Sequence, residues 1–327
     1  MIKLRQAGYC NLKLLLIYLV VYGHWIEAGI RQSPALMMQY RWIYLVHMPL
    51  FAFLSGLFLR TGSDCLRQLR RMLPMYLLLQ TVAVLLSGGA VRPLTPYWHL
   101  WFLLSCCVWM GTGFLWFRFC GGRGGLWILM AGILLGCGAG YVSWIGRPLS
   151  LSRTLVFFPY FWAGLLCRPD FPWQKLRPWG LCALLLAVIL MWDRPVSVVF
   201  LYHAAPYGKM AHGGQTRLLC YLVSSLLCLF LLTFVPDRRF FFTRMGADTM
   251  PVYLLHGPLV LRLRELPLPW PLCPVLAAWL TCLICKSLQW HSALYGVIPG
   301  ERRFSLWFRF RKFTKNTESR YIGSCCP

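Results

Sequence analysis

The sequence predicts an all-α fold, a polytopic integral membrane bundle of about ten transmembrane helices with both termini in the cytoplasm. Hydrophobic residues make up 58% of the 327 residues, whereas soluble domains contain about 45–50%. Apolar runs of spanning length recur along the whole chain, and the mean hydropathy is +0.59. The 33 lysines and arginines, against nine carboxylates, gather between alternate apolar runs, which is typical of cytoplasmic loops.

Ten apolar segments support this prediction. They cover residues 14–31, 41–59, 72–90, 98–117, 125–145, 154–167, 179–192, 217–235, 248–263 and 271–290. The first segment follows three cations and has no small-residue cleavage pattern after it, so we interpret it as a retained helix and not as a signal peptide. Residues 1–300 are predicted to form a single transmembrane domain, and residues 301–327 a basic cytoplasmic tail.

The distribution of cations gives the predicted orientation. Lysines and arginines are dense before the first segment and after the second, fourth, sixth and eighth, and sparser in the other loops. Cytoplasmic loops carry this excess, so both termini are placed in the cytoplasm. A net charge of +24 would indicate nucleic acid in a soluble protein. Here the topology accounts for the charge, and we expect membrane lipid but no nucleic acid as a partner.

Lys13, His24 and Glu27 form the first candidate catalytic group. Lys13 and His24 are eleven residues apart, so a helix places them on nearly the same face, about 16 Å apart. If Lys13 lies at a membrane surface, His24 lies deep in the hydrocarbon core, where ionisable residues are usually functional. Glu27 is within helical reach of His24 and could keep its imidazole basic. The alternatives are a helix-packing histidine and an interfacial glutamate.

Two further histidines are predicted to lie deep in the membrane. His47 falls about seven residues into the second segment, and His256 about eight residues into the ninth. His24 and His47 could face one cavity, because they lie at similar depths on consecutive antiparallel helices. The alternative is that each histidine only joins helices. Beside His47, the small pair Ser55–Gly56 predicts close approach of another helix.

Arg67, Arg70 and Arg71 form a cationic cluster on the cytoplasmic side of the second segment. Arginine is suited to bidentate contact with phosphate, so the cluster could bind a phosphorylated ligand. The same chemistry would serve anionic lipid headgroups, and topology alone would also explain three arginines there. The sequence contains no glycine-rich phosphate loop and no G-x-S-x-G motif.

An aromatic stretch precedes the fourth segment and includes Trp98, His99 and Trp101. Such a stretch is typical of an interfacial aromatic belt. Flat aromatic faces with polar tips would also bind a sugar. The 15 cysteines lie mostly inside apolar runs, and the Cys282–Cys285 pair has no second pair at metal spacing. We therefore expect no metal and no permanently bound cofactor.

Taken together, these stretches resemble a known family, the membrane acyltransferase-3 superfamily, and most closely its fucose 4-O-acetylase-like acetyltransferases. The likeness extends over most of the chain in the family's order. It is carried by NLKLLLIYLVVYGH (11–24), HMPLFAFLSGLF (47–58), RQLRRMLP (67–74), YWHLWFLL (97–104), RTLVFFPYFWAG (153–164) and GADTMPVYLLHG (246–257).

The resemblance implies transfer of an acyl group, usually acetyl from cytoplasmic acetyl-CoA, to a carbohydrate hydroxyl in a bacterial inner membrane. The family's first-helix cation, usually Arg, corresponds to Lys13, and its catalytic histidine to His24. Its RxxR motif, associated with acyl-CoA, corresponds to Arg67 and Arg70, with Arg71 beside them. We place four residues on the acceptor side, with a surface polysaccharide or lipid-linked glycan as acceptor: Trp98, His99, Trp101 and Arg153.

A proton-coupled transporter of a small solute or glycan precursor is the alternative function, because deep histidines also occur in proton pathways. Such a protein would be expected to carry more intramembrane carboxylates and an internal repeat. Consumption of acetyl-CoA discriminates the two functions.

Overall fold

The computed structural model describes residues 2–86, 92, 94–192, 196–208, 210, 212–247, 249–263 and 269–294. Within these ranges the protein is all-α and contains ten long helices and one short one, joined by 3-10 turns. The helices are α1 (Ile2–Ile26), α2 (Pro34–Leu57), α3 (Gly62–Leu86), α4 (Trp101–Cys120), α5 (Gly125–Gly138), α6 (Leu151–Leu166), α7 (Arg177–Met191), α8 (Val198–Leu201), α9 (Gly213–Phe234), α10 (Met250–Leu263) and α11 (Cys273–Leu294).

Each of the ten predicted segments overlaps one long helix, which confirms the predicted fold class. Three helices begin seven or more residues before the predicted segments, among them α2, which begins at Pro34 and not at residue 41. Helix α1 begins at Ile2 and not at residue 14, and α3 begins at Gly62 and not at residue 72. The reason is that hydropathy marks the apolar part of a helix, whereas the helical hydrogen bonds continue into polar turns. The predicted tail, residues 301–327, lies outside the described residues.

Seven helical stretches in the described part of the chain are long and apolar enough to cross a membrane. They are Ala7–Gly29, Gly62–Leu86, Trp98–Cys120, Pro148–Leu166, Trp173–Met191, Gly213–Phe234 and Trp270–Ser287. Helices α5 and α10 have only 14 residues each. Helix α2 has 24 residues but is not among the seven. Much of α2 is buried against protein, so its sequence need not be as apolar as a lipid-facing helix.

Helices α2 and α6 approach each other closely near the middle of the bundle. A Cβ atom on Gly56 would lie 2.1 Å from the Phe161 carbonyl oxygen, and one on Gly164 would lie 1.9 Å from the Phe53 carbonyl oxygen. The two backbones therefore touch where each helix has a glycine. This contact confirms the close approach that the Ser55–Gly56 pair predicted.

Burial separates central helices from peripheral ones. In the spans that contain α1 and α6, 61% of the apolar window is buried, whereas in α3 and the span that contains α7 only 17% is buried. Helix α1 packs against α2, α10 and α11. A functional group on α1 is therefore surrounded by protein, while α3 and α7 present most of their apolar surface outward.

Candidate active site

The centre of the candidate site is the pair formed by His24 and Glu27. His24 lies in the last turn of α1, and Glu27 opens the 3-10 turn Glu27–Gly29 that follows. His24 Nδ1 lies 3.5 Å from Glu27 Oε2, and the two side chains are 15% and 26% exposed. The helical reach predicted from their spacing is therefore present. Because a carboxylate only accepts hydrogen bonds, it favours a proton on Nδ1 and leaves the Nε2 lone pair free.

Two tyrosines extend this pair, and no local sequence pattern indicates either of them. The Tyr202 hydroxyl, in the loop after α8, donates to Glu27 Oε1 at 2.7 Å. The Tyr40 hydroxyl of α2 donates in turn to the Tyr202 hydroxyl at 3.1 Å. Burial raises the pKa of Tyr202 to about 12, so its hydroxyl remains a protonated donor at neutral pH. Both carboxylate oxygens of Glu27 thus have a partner.

Aromatic rings from two elements, the 3-10 turn Trp98–Leu100 and helix α10, pack beside His24. Its ring centroid lies 4.7 Å from that of Trp98 and 5.4 Å from that of His256. The ring centroids of His256 and His99 are 5.3 Å apart. Trp98 has a backbone φ of +25°, a conformation that non-glycine residues rarely adopt and that is common at functional sites. The fold therefore brings together His24, His256 and the Trp98–His99 pair.

Gly257 on α10 makes room for this cluster. A Cβ atom at Gly257 would lie 2.9 Å from His99 Nδ1 and 3.0 Å from the Trp98 ring. Trp98 and His99 accordingly pack inward on α10, and His99 is only 7% exposed. His99 therefore faces protein, and Trp98 is half-buried beside it. The 3-10 turn Trp98–Leu100 directs both residues towards the bundle before α4 begins. The interfacial belt stays a prediction for Trp98 and Trp101.

His47 and His256 share one local arrangement. His47 Nδ1 donates to the Ile43 carbonyl at 2.6 Å, and His256 Nδ1 donates to the Val252 carbonyl at 3.0 Å, each bond reaching back four residues along the helix. The His47 ring packs on Tyr44, with centroids 4.9 Å apart. Of these two deep histidines, it is His256 whose ring contacts that of His24.

Trp101 and Arg153, predicted on the acceptor side, lie against each other. The Arg153 guanidinium lies 4.9 Å from the centroid of the Trp101 ring. Arg153 Nε also donates to the Tyr202 carbonyl at 2.9 Å. Since the Tyr202 hydroxyl contacts Glu27, Arg153 and Trp101 are joined to the His24–Glu27 pair through one tyrosine.

Lys13 is buried and does not lie at an open surface. Its side chain is 1% exposed, and its Nζ donates to the Ala247 carbonyl at 3.3 Å. About three turns of helix precede it because α1 begins at Ile2, and the segment between α9 and α10 covers it. In that segment the Pro236 and Arg238 carbonyls accept hydrogen bonds from Asn11. The expectation that Lys13 lies at an open surface at the start of the first helix is therefore wrong.

Arg67, Arg70 and Arg71 are exposed, but they lie within α3 and not in a loop after the second segment. At helical spacing the three share one side of α3. Arg67 forms an ion pair with Asp64, whereas Arg70 and Arg71 make no ion pair with any described residue. The cluster is thus a cationic surface at the start of α3, remote in sequence from His24.

Comparison with known proteins identifies the family to which this site belongs. Residues 8–290 match the model of the acyltransferase-3 family, described as an acyltransferase domain. The chain belongs to this family. Neither the comparison with curated proteins nor that with solved structures found a match. The fucose 4-O-acetylase-like branch stays a prediction.

The acyltransferase-3 membership and the site agree on the class of chemistry. The chain is a membrane acyltransferase, and His24 with its orienting carboxylate is the arrangement that general-base catalysis requires. The matched residues 8–290 include every residue of this site. In the described residues, no three His, Cys, Asp or Glu side chains are grouped so that they could hold a metal ion.

Proposed function

We propose that this acyltransferase-3 protein transfers acetyl from cytoplasmic acetyl-CoA to a hydroxyl of a surface polysaccharide or lipid-linked glycan at a bacterial inner membrane. The observation that carries the proposal is the His24–Glu27 pair, with Nδ1 and Oε2 3.5 Å apart, enclosed by Trp98 and by residues of α10. An acyl transfer to a hydroxyl needs one positioned base, and His24 is the imidazole in this cluster with a carboxylate to orient it.

In this proposal, the cationic cluster on α3 binds the donor, acetyl-CoA. Acetyl-CoA carries phosphates, and Arg67, Arg70 and Arg71 offer guanidinium groups suited to phosphate. All three side chains are exposed, so they are accessible to a ligand from the same side. The pair between Arg67 and Asp64 would have to open or be shared when phosphate binds. Arg70 and Arg71 have no such competitor among the described residues.

The acceptor side of the proposal uses the residues around Tyr202. Trp101 and Arg153 form a flat aromatic and cationic surface, and Trp98 places its ring beside His24. Aromatic faces contact the C–H surface of a sugar, and the polar groups bind its hydroxyls. His24 and Glu27 are partly exposed, whereas His99 and His256 are buried. An acceptor would therefore meet His24 first.

In the proposed reaction, His24 Nε2 removes the proton of the acceptor hydroxyl as that oxygen attacks the thioester carbonyl carbon. The carbon–sulfur bond then breaks and the coenzyme A thiolate leaves. The proton held on His24 passes to the thiolate, which regenerates the neutral imidazole. Glu27 stabilises the imidazolium while it carries this proton, because an opposite charge favours the charged form of histidine. The products are the acetyl ester and free coenzyme A.

The test is direct transfer of a labelled acetyl group. Purified protein is incubated with [acetyl-¹⁴C]acetyl-CoA and membranes from a strain that lacks the gene, which supply the natural acceptor without its identification. We expect alkali-labile label in the glycan fraction and release of one coenzyme A per acetyl transferred. If wild-type protein consumes no acetyl-CoA with these membranes, the proposal is wrong, and transport becomes the function to examine.

A further inference from the structure

His256 has a nitrogen whose hydrogen-bonding capacity is not used within the described structure. Its Nδ1 lies 3.0 Å from the Val252 carbonyl oxygen. A carbonyl only accepts, so Nδ1 carries the proton and Nε2 of the neutral ring carries a lone pair. Nε2 is buried and has no hydrogen-bond partner, and the side chain is 0% exposed. Buried polar atoms without partners are uncommon in folded proteins, and each calls for an explanation, such as strain, a bound water or ion, or a catalytic role.

No described neighbour hydrogen-bonds to His256 Nε2. The ring of His99, 5.3 Å from that of His256 at the centroids, also has a buried Nδ1 without a hydrogen-bond partner. The Tyr253 hydroxyl donates to the His99 carbonyl. The Glu27 carboxylate, 3.5 Å from His24 Nδ1, favours a proton on that nitrogen. His24 Nε2 then carries a second lone pair. The rings of His24 and His256 are 5.4 Å apart at their centroids and inclined by only 24°. The site therefore presents two adjacent imidazole acceptors to whatever binds there.

We propose that the acceptor brings two neighbouring hydroxyls, of which one loses its proton to His24 and the other donates to His256 Nε2. This proposal rests on the proposed function and adds a substrate class, the vicinal diol. A ligand with a single hydroxyl would leave one buried nitrogen unsatisfied. Sites built to hydrogen-bond a hydroxyl discriminate strongly against analogues that lack it. His256 is then a specificity-determining residue, distinct from the base.

Two variants separate the two nitrogens of His256. In His256→Asn the side-chain amide nitrogen can replace Nδ1 at the Val252 carbonyl, but nothing replaces Nε2. In His256→Gln the longer side chain can place an acceptor oxygen near the position of Nε2. We expect Asn to raise the half-saturating amount of acceptor membranes about tenfold or more, since one hydrogen bond is lost. Gln should raise it less, and the KM for acetyl-CoA should not change in either variant.

The acceptor membranes are modified in parallel. One portion is treated with periodate and then borohydride, which cleaves vicinal diols and leaves isolated hydroxyls intact, and a matched portion receives borohydride alone. We expect wild-type protein to label the borohydride-treated membranes and to lose most of this labelling after periodate. Protein abundance and unfolding temperature are measured for every variant. If the Asn variant folds poorly, the Gln variant and the periodate comparison still test whether the acceptor needs a second hydroxyl that donates to His256.

Several results would overturn this proposal. Undiminished labelling of periodate-treated membranes would show that no diol is needed. Equal behaviour of the Asn and Gln variants would mean that His256 acts through packing alone. A fall in turnover without a change in acceptor saturation would assign His256 an effect on His24. Absence of label even in the borohydride control would instead contradict the proposed function itself.

Discussion

The carboxylate of Glu27 has different partners on its two oxygens. One oxygen faces His24 Nδ1, and the other accepts from the hydroxyl of Tyr202. The hydrogen bond from Tyr202 holds one oxygen, which keeps the other oxygen facing the imidazole at 3.5 Å and favours one orientation of the ring. Orientation of the base is a large part of its catalytic effect, because proton transfer requires a hydrogen bond of normal length to the substrate.

His24 is expected to be indispensable for activity. His24→Ala removes the base, which typically contributes about 10²–10⁴ in rate. His24→Gln should be nearly as inactive, because an amide forms hydrogen bonds but does not accept a proton at neutral pH. The measurement is acetyl label per unit of membrane-inserted protein. Near-normal labelling by His24→Ala at normal abundance would mean that helix α1 holds no catalytic base.

Tyr202 is expected to affect activity more than Tyr40. Tyr202→Phe removes the 2.7 Å hydrogen bond to Glu27, and we expect turnover to fall about tenfold, as for loss of one bond to a charged group. Tyr40→Phe is the comparison, since the Tyr40 hydroxyl donates to Tyr202 at 3.1 Å and interacts with Glu27 less strongly than Tyr202 does. Initial rates at saturating acetyl-CoA compare the two. Equal losses in both variants would argue for a packing effect alone.

The sequence could predict the His24–Glu27 contact but not the Tyr202 contact. Residues three apart on a helix meet because of helical geometry alone. Tyr202 lies 175 residues from Glu27, in a loop whose path depends on the packing of the whole bundle. No local pattern distinguishes this tyrosine from the others. For the same reason, the shared depth of His24 and His256 does not by itself predict that their rings meet.

At the scale of helices, the glycines of α2 and α6 allow the two backbones to touch. Gly56→Ala would place a Cβ atom 2.1 Å from a carbonyl oxygen, so the helices must separate. Overpacking of this kind typically costs about 1–3 kcal/mol, occasionally more. Gly111→Ala on α4 is the matched control, because nothing lies within 4 Å of its Cβ position. Unfolding temperatures in detergent should fall for Gly56→Ala and stay unchanged or rise for the control.

The arginines at the start of α3 are expected to determine the KM for acetyl-CoA. Replacement of Arg67 and Arg70 by Ala should raise the KM for acetyl-CoA about tenfold. This corresponds to the lower end of the roughly 1.5–3 kcal/mol typical of charge-assisted bonds, because both side chains are exposed. Lysine at both positions should recover part of the affinity. Arg239→Ala, another exposed arginine, is the control. Unchanged KM in the Ala double variant would leave the cluster with a topological role only.

Helix existence was easier to predict than helix ends. Apolar runs identified every long helix in the described structure, since burial in lipid or protein leaves a strong compositional pattern. The ends of α1 and α3 were missed because cationic turns continue the helix beyond the apolar run. This error also misplaced Lys13, which about three helical turns precede and which the segment between α9 and α10 covers.

The charge distribution predicts how the whole molecule is oriented in the membrane, and fusions along the chain test this topology. Reporter fusions after Arg71, Arg123 and Arg244 should read cytoplasmic, and fusions after Arg92 and Lys209 external, because basic loops stay inside. Alkaline phosphatase and green fluorescent protein report the two sides. A reversed pattern would separate the α3 cluster from cytoplasmic acetyl-CoA, and the proposed donor side would then be wrong.

The arrangement of helices in the bundle could not be predicted from the sequence. Hydropathy indicates that α1 and α3 are apolar, but it does not show that α1 is central and α3 peripheral. That difference depends on which surfaces find partners, such as the glycines of α2 and α6. The resemblance to acyltransferase-3 proteins predicted the chemistry of His24 without the geometry that supports it.

Helix α1 fixes the distance between Lys13 and the candidate base His24. Lys13 is attached to the Ala247 carbonyl at one end, and His24 meets Glu27 and His256 at the other. One residue inserted between them would rotate His24 by about 100° and move it by about 1.5 Å relative to Lys13. Side-chain replacements between Lys13 and His24 leave their distance and relative rotation unchanged, whereas a single insertion or deletion alters both.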